Sequence, residues 1–183
     1  MSKKAVVLLA EGFEEIEAAT PIDVLRRAGA EVTIAGVSGI QVKGAHGVVY
    51  VADAELDGLQ ADFDLIVLPG GMPGSKNLGE SAAVRALTEK LHASGKLVAS
   101  ICAAPVFTLG AWGILDNRQA TCYAGMEGMF PPSVKFSPER VVIDGNVTTS
   151  RGPGTALEFS LSIAGQLMGA DVAAQVAKDM LVK

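Results

Sequence analysis

Three short runs of the chain, residues 5–9, 65–68 and 97–101, are apolar at nearly every position. Strands of this length that are apolar on both faces are typical of parallel sheets covered by helices on each side. Segments with helical periodicity lie between the runs, and residues 31–36 add a further strand. This alternation predicts a three-layer α/β sandwich, with a mainly parallel sheet and helices on both of its faces.

The first helix is predicted over residues 14–28, between the first two strands. Its apolar stripe would consist of Ile16, Ala19, Ile22 and Leu25. Gly29 ends the helix, and the strand that follows completes a right-handed β-α-β unit. Pro21 lies inside the helical pattern, so we expect a kink or a restart there, with Thr20 as the new cap.

The rest of the chain is interpreted in the same way, as parts of one domain that spans residues 1–183. Ser81 is predicted to cap a helix that ends at Gly95, and another helix is predicted to follow Cys102 as far as about Trp112. The other predicted elements are a strand or hairpin arm at 48–51, a strand at 119–122, a hairpin of 140–143 with 147–149, and helices at about 154–168 and 171–180.

Composition and motifs exclude several classes of protein. Hydrophobic residues make up 49% of the chain without any run long enough to cross a bilayer, so no membrane span is expected. The net charge of −5 and the scattered basic residues argue against nucleic-acid binding. Neither metal-ligand spacing nor a dinucleotide fingerprint is present, so no cofactor is predicted. Because no signal-peptide pattern precedes the first strand, we expect a cytoplasmic protein whose thiols stay reduced.

Cys102 lies where the apolar run 97–101 ends and where Pro105 favours the first turn of a helix. Free backbone N–H groups and the positive end of the helix dipole converge at such a point. They stabilise a thiolate and can lower its pKa from ~8.5 to roughly 3.5–7.5. The alternative is an inert core cysteine, because free cysteine is among the most buried residue types.

Three loops are predicted to meet at the carboxyl ends of the strands, where sheets of this kind bind ligands. They are residues 11–17, 69–72 and 102–105. Glu17 could turn toward Cys102, and a carboxyl beside a thiolate in a poorly solvated cleft should stay protonated and carry a proton. The N–H groups of Gly71 and Ala103, with Gly70 in the same turn, are candidates for an oxyanion hole.

Two further residues are candidates for substrate binding, and each has a structural alternative. Tyr123 either presents its hydroxyl to the pocket or packs as an ordinary aromatic side chain. Arg151 is either a surface charge or a bidentate ligand for a substrate carboxylate or phosphate. Glu14 and Glu15 are interpreted as favourable charges at a helix N-terminus. His46 is interpreted as a solvated loop residue or as a group that approaches a site across a subunit interface.

Five pieces of the sequence, taken together and in this order, resemble the ThiJ/PfpI superfamily and specifically its DJ-one-like branch. They are residues 10–17, 23–29, 67–71, 100–105 and 149–155. The resemblance implies a flavodoxin-like sandwich. It further implies that Cys102 is a nucleophile readily oxidised to a sulfinate, that Glu17 is its protonated partner, and that the amides of Gly71 and Ala103 form its oxyanion pocket.

Members of this superfamily are described as cofactor-independent glyoxalases, as deglycases, and as oxidative-stress protectors or chaperones. By resemblance, we expect an enzyme that acts on methylglyoxal-type α-oxoaldehydes or their adducts. The alternative is a cysteine-based stress sensor or redox-regulated chaperone with little turnover.

The chain departs from the pattern of the superfamily at two positions, and the resemblance also implies its partners. Ala103 stands where the protease-like branch has a histidine, so peptidase activity is not expected. Tyr123 stands where DJ-one-like members often have a pocket histidine, which leaves Glu17 to carry the proton alone. The resemblance implies two kinds of partner, a small aldehyde substrate and a second copy of the chain. The candidates for the dimer interface are Arg26, Arg27 and His46.

Overall fold

The computed structural model describes residues 2–59 and 62–182. Its strands are β1 (Lys4–Leu9), β2 (Glu31–Gly36), β3 (Gln41–Lys43), β4 (Val49–Val51), β5 (Ala54–Glu55), β6 (Leu65–Leu68), β7 (Leu97–Ile101), β8 (Gln119–Ala120), β9 (Lys135–Phe136), β10 (Val141–Asp144) and β11 (Val147–Ser150). Its α-helices are α1 (Glu15–Arg27), α2 (Gly74–Glu80), α3 (Ala82–Ala93), α4 (Ala156–Met168) and α5 (Ala170–Asp179). A π-helical segment spans Val106–Gly110, and 3-10 turns span Leu56–Gly58, Glu127–Met129 and Pro153–Thr155.

Seven strands form the central sheet in the order β10-β11-β7-β6-β1-β2-β5. The neighbouring strands run parallel, except that β10 and β11 form the antiparallel hairpin predicted from the sequence. Two smaller two-stranded sheets, β3 with β4 and β8 with β9, lie outside it. The mainly parallel sheet that the apolar runs predict is thereby confirmed.

Alternate side chains of β1 enter two separate apolar clusters, one on each face of the sheet. Val7 and Leu9 pack in the cluster that contains buried residues of α1, α4 and α5. Val6 and Leu8 pack in the cluster that contains buried residues of α2 and α3. This alternation is what a strand covered on both faces requires, and it confirms the three-layer, flavodoxin-like α/β architecture.

The buried face of α1 differs from the predicted stripe. Ile16 is 54% exposed and Ala19 is exposed as well, whereas Glu17 is fully buried. The residues that do face the core are Glu17, Ala18, Pro21, Ile22, Val24 and Leu25. The predicted stripe is wrong at Ile16 and Ala19, because the carboxyl of Glu17 occupies the inner face of α1 while Ile16 lies on the outer face.

The predicted restart at Pro21 is also wrong, because α1 is continuous through it. Pro21 lies on the buried face of the helix. The Thr20 hydroxyl does not cap a second helix but donates to the Ile16 carbonyl at 2.6 Å. By contrast, the predicted cap at Ser81 is confirmed, since its Oγ accepts from the Val84 N–H at 3.3 Å.

The segment after Cys102 departs from the predicted regular helix. It is wound as a π-helix over Val106–Gly110, and residues 111–117 form turns. The Ile114 N–H donates to the Leu109 carbonyl, five residues back, at 3.0 Å, and Gly113 has a φ of 76°. Helix α2 was not predicted, and the strand predicted over 119–122 forms only at Gln119–Ala120. In the part of the chain that the structure describes, no helix combines the length and apolarity needed to span a bilayer.

Candidate active site

The loops that follow β1, β6 and β7 meet at one edge of the sheet, as predicted, and enclose a cleft of about 830 Å³. Gly71 from the loop after β6 and Cys102 and Ala103 from the loop after β7 line it. The rest of the lining consists of Glu14, Glu15, Ile16, His46, Val48, Met72, Tyr123, Ala124, Gly125, Met126 and Pro153. The carboxyl ends of the strands therefore form a single concave site that contains a thiol.

Cys102 has an unusual backbone conformation, with a φ of 67° in the left-handed region that non-glycine residues rarely adopt. Its N–H donates to the Ser150 carbonyl at 2.9 Å, and its carbonyl accepts from the Tyr123 N–H at 2.8 Å. Such a conformation costs roughly 1–3 kcal/mol and persists only where the surroundings enforce it. These two hydrogen bonds hold Cys102 in the turn between β7 and the π-helical segment.

Glu17 reaches the same turn from the buried face of α1. Its Oε2 accepts from the Gly70 N–H at 2.9 Å, while Oε1 has no hydrogen-bond partner among the described residues. Burial raises the pKa of Glu17 to about 8, and the nearby Glu14 adds to the rise, although the Cys102 thiol and the Gly70 N–H oppose it. The Glu17 carboxyl is therefore mostly protonated at neutral pH, in the direction that the sequence predicts.

The thiol of Cys102 does not have the lowered pKa predicted from its position. Burial of the sulfur, and then the charge of Glu17, raise the pKa of Cys102 to about 12. The N–H groups of Gly71 and Ala103 at the sulfur act in the opposite direction. The N–H groups at the turn are therefore outweighed by burial, and the segment after Cys102 is not the regular helix on which the prediction relied.

Glycine is required at positions 70 and 71, because neighbouring atoms approach the backbone too closely to leave room for a side chain. A Cβ at Gly70 would collide with the Glu17 carboxyl and with the Cβ of Cys102. Gly71 has a φ of 89°, and a Cβ there would meet the backbone of the loop that precedes α1. The Gly70 carbonyl accepts from the Glu14 N–H at 2.9 Å, so the two loops are also joined directly. These contacts keep the N–H groups of both glycines directed at Glu17 and Cys102.

Of the two predicted substrate-binding residues, only Tyr123 lies in the cleft. Its ring is 48% exposed and lies beside Gly152, where an added Cβ would come within 3.3 Å of it. Arg151 does not line the cleft, because its guanidinium donates to the Pro138 carbonyl at 3.0 Å and to Glu127 at 3.3 Å. Arg151 therefore lies outside the cleft in this structure, and its role as a substrate ligand stays a prediction.

The sequence did not predict that Glu14, Glu15 and His46 would share one wall of the cleft. Glu15 accepts from the His46 N–H at 2.8 Å and from the Val48 N–H at 3.3 Å, and its other oxygen lies 2.9 Å from Nδ1 of His46. Glu14 lies 3.4 Å from the same Nδ1. The three ligand atoms lie within 4.8 Å of one another, close enough for a metal ion, but the hydrogen bonds of Glu15 already account for the grouping.

With this geometry established, the comparisons with known proteins define the class of the chain. The family model described as the DJ-1/PfpI family matches residues 3–166. The chain therefore belongs to the DJ-1/PfpI family.

Individual relatives place the chain in the DJ-1-like branch of this family. It is 43% identical to Parkinson disease protein 7 homolog of Danio rerio over 186 residues, which cover 99% of this chain and 98% of that protein. The crystal structure of Drosophila melanogaster DJ-1beta has a TM-score of 0.96 and 44% identity, and the match covers 100% of both chains.

One further relative carries the name of an enzyme, and another is much longer than this chain. Glutathione-independent glyoxalase DJR-1.2 of Caenorhabditis elegans is 41% identical over 169 residues, which cover 91% of this chain and 90% of that protein. Protein DJ-1 homolog B of Arabidopsis thaliana is 40% identical over 184 residues, which cover 100% of this chain. The chain spans 42% of the length of that plant protein.

Proposed function

We propose that the chain is a cofactor-independent glyoxalase or deglycase-like enzyme that acts on methylglyoxal-type α-oxoaldehydes or their adducts. In this role it protects the cell against carbonyl and oxidative stress. The observation that carries the proposal is the buried Cys102–Glu17 pair at a cleft with two backbone amides at the sulfur. The name of the nematode relative, a glutathione-independent glyoxalase, supports the same substrate class.

In the proposed reaction, the sulfur of Cys102 bonds to the aldehyde carbon, and the aldehyde oxygen takes a proton to give a hemithioacetal. Glu17, ionised after giving its proton to the aldehyde oxygen, takes the proton of the aldehyde carbon and delivers it to the neighbouring carbonyl carbon, while the hydroxyl proton of the hemithioacetal passes to the ketone oxygen to form the alcohol. The aldehyde carbon thereby reaches the thioester level while the ketone carbon is reduced. Water hydrolyses the thioester to a 2-hydroxy acid and restores the thiol, so no external oxidant is required.

The raised pKa of both groups fits a pair that ionises as one unit. An ionised Glu17 raises the pKa of Cys102, because two like charges would lie side by side in a poorly solvated place. A protonated Glu17 removes this repulsion and can donate a hydrogen bond to the sulfur. The reactive state in this proposal is the tautomer in which the proton shared by the pair is on Glu17 and Cys102 is a thiolate, and the N–H groups of Gly71 and Ala103 favour this state by stabilising the anion.

The test is the formation of lactate from methylglyoxal in the absence of glutathione. Cys102→Ala should abolish it, since no other group in the mechanism can form the covalent intermediate. Cys122→Ala is the matched control and should retain it, because that sulfur is fully buried. Full activity of the Cys102→Ala variant would show that the mechanism is wrong.

A second candidate function is a redox sensor or redox-regulated chaperone with little turnover. It is favoured by the different access to the two thiols, because Cys102 lines the cleft while Cys122 is fully buried. Ala103 supplies no base next to the thiol, so a peptidase is not proposed.

We also propose that the chain forms a homodimer in the cytoplasm. The supporting feature is the exposure of apolar side chains at α1 and around β4, where Ile16, Val48, Val49 and Val51 are each more than half exposed. A second copy could cover these side chains, and His46, Arg26 and Arg27 are the polar candidates for the interface. Light scattering should give twice the chain mass, and a monomer mass would exclude the dimer.

A further inference from the structure

Residues 123–126 all line the cleft and form one of its walls, which we call the Tyr123 wall. The wall is fixed at its start, where the Tyr123 N–H donates to the Cys102 carbonyl at 2.8 Å. It then continues as turns, in which the Met126 N–H donates to the Tyr123 carbonyl at 3.1 Å and Gly125 has a φ of 88°. Because turns lack the hydrogen-bonded ladder of a strand, the position of the wall depends on the contacts at its far end.

The far end of the wall is held from outside the cleft by the side chain of Arg151. Its Nη2 donates to Oε1 of Glu127, the residue after the wall, at 3.3 Å, and its Nη1 donates to the Pro138 carbonyl at 3.0 Å. The guanidinium also lies over the Phe136 ring, 5.9 Å from the ring centroid. One side chain in the turn after β11 therefore joins the Tyr123 wall to the end of β9 and the residues that follow it.

The geometry of this ion pair suits a role in placing the wall. The Arg151 and Glu127 side chains are 23% and 32% exposed, and the planar guanidinium fixes the directions of its two acceptors. The N–H groups of Glu127 itself and of Gly125, followed by the charge of Arg151, lower the pKa of Glu127, so the carboxylate stays ionised at neutral pH. The next residue, Gly152, lies beside the Tyr123 ring, where an added Cβ would come within 3.3 Å of it. The wall is therefore held between Glu127 and Gly152.

We infer that Arg151 is a positioning residue, which acts through Glu127 to hold the Tyr123 wall against the cleft and thereby sets the affinity for the substrate. This inference rests on the proposed function, because it concerns the same cleft. A displaced wall loses contact with the bound molecule in the ground state and in the transition state alike. Cys102 and Glu17 meanwhile keep their contacts with the loop after β6. The effect of Arg151 should therefore appear in KM and not in kcat.

Steady-state turnover of methylglyoxal by Arg151→Met tests the inference. Methionine keeps an unbranched side chain and removes all the donors. We expect KM to rise about tenfold, while kcat stays within about twofold of the wild type. An unchanged KM in this variant would overturn the inference.

Arg118→Met is the matched control, because it removes the same kind of contact outside the cleft. The Arg118 guanidinium also donates to one carbonyl and one carboxylate, both of Asp144, at 3.1 and 3.3 Å. Arg118 does not line the cleft, so its loss should leave KM and kcat within about twofold of the wild type. An equal rise in KM in Arg118→Met would mean that any lost ion pair has this effect, and the inference would be overturned.

A double-mutant cycle separates positioning from direct binding of the substrate by Arg151. Glu127→Ala removes the acceptor through which Arg151 holds the wall, and it should raise KM by a similar factor. Adding Arg151→Met to Glu127→Ala should then have little further effect, because both changes break the same contact. Fully additive effects would show that Arg151 acts without Glu127, which would contradict the positioning role.

Fluorine NMR separates a failure of this inference from a failure of the proposed function, because it requires no turnover. The chain contains two tyrosines, Tyr50 and Tyr123, so fluorotyrosine labelling gives two signals, which Tyr50→Phe assigns. Arg151→Met should shift or broaden the Tyr123 signal and leave the Tyr50 signal in place, whereas Arg118→Met should change neither. If methylglyoxal is not converted while the Tyr123 signal moves, the proposed function fails and the positioning role stands. If methylglyoxal is converted and the Tyr123 signal does not move, the positioning role alone fails.

Discussion

The two cysteines have similar thiols in very different surroundings. Burial raises the pKa of both Cys102 and Cys122 to about 12. Cys122 is fully buried in the apolar cluster on the α2 and α3 side, and its thiol lies 3.5 Å from the Tyr123 carbonyl, an acceptor. Cys102 lines the cleft in a left-handed turn, with two backbone N–H donors at its sulfur. The two thiols therefore differ in access, in hydrogen-bond donors and in the presence of a carboxyl, and their raised pKa does not distinguish them.

The largest effect is expected from Glu17→Gln, which removes the feature that most separates the two cysteines. Turnover should fall by about 10²–10⁴-fold, because the proton carrier is lost. Alkylation of Cys102 should move to lower pH, because the charge that raises its thiol pKa is gone. The rate of iodoacetamide modification measured against pH in both proteins checks the second point.

The two effects of Glu17→Gln have opposite signs, a slower turnover but an easier alkylation of Cys102. Measuring both therefore separates the role of Glu17 as a proton carrier from the effect of its charge on the thiol. If Glu17→Gln slows turnover and also moves alkylation to higher pH, Glu17 stabilises the thiolate more than its charge opposes it. Cys122 supplies the internal control, since its alkylation profile should not change.

The next prediction concerns oxidation. Mild peroxide should add two oxygens to Cys102, where N–H donors can stabilise the anionic product, and none to Cys122, where no access is available. Peptide mass spectrometry after brief treatment measures both sites in one sample. Equal oxidation of the two cysteines would remove the distinction on which the sensor alternative depends.

A smaller effect is expected from Gly70→Ala, which crowds the pair without changing its chemistry. The added methyl would collide with the Glu17 carboxyl and the Cys102 side chain, so we expect a loss of about 1–3 kcal/mol in the free energy of unfolding. Turnover per folded molecule should fall as well. Gly58→Ala is the control, because a Cβ there meets nothing within 4 Å. Urea denaturation of both variants decides whether close packing or ordinary glycine flexibility matters at Gly70.

The sequence was sufficient for the sheet because the buried strands are apolar on both faces, a pattern that few other structures share. The sequence also predicted that Cys102, Glu17 and Gly71 lie at one edge of the sheet, because the carboxyl ends of parallel strands meet there. It failed at Ile16, whose exposure depends on which face of α1 must bury a carboxyl.

The positions of Arg151 and His46 could not be predicted for one physical reason: contacts with residues distant in sequence decide where their side chains lie. Arg151 is withdrawn from the cleft by Glu127 and the Pro138 carbonyl. His46 enters the cleft wall because Glu15, 31 residues earlier, binds its backbone and ring. No local pattern contains either contact, so neither could be read from spacing or periodicity.

The smallest effects are expected in the contributions of the two cysteines to stability. Cys122→Ala should reduce the free energy of unfolding by about 1 kcal/mol, because it opens a small cavity in a fully buried cluster. Cys102→Ala should be at least as stable as the wild type. It removes a thiol from beside a buried carboxyl, and water from the cleft can reach the N–H groups that it leaves. Urea denaturation midpoints measure both, and a Cys102→Ala variant less stable than Cys122→Ala would mean that Cys102 is held in its turn mainly for packing.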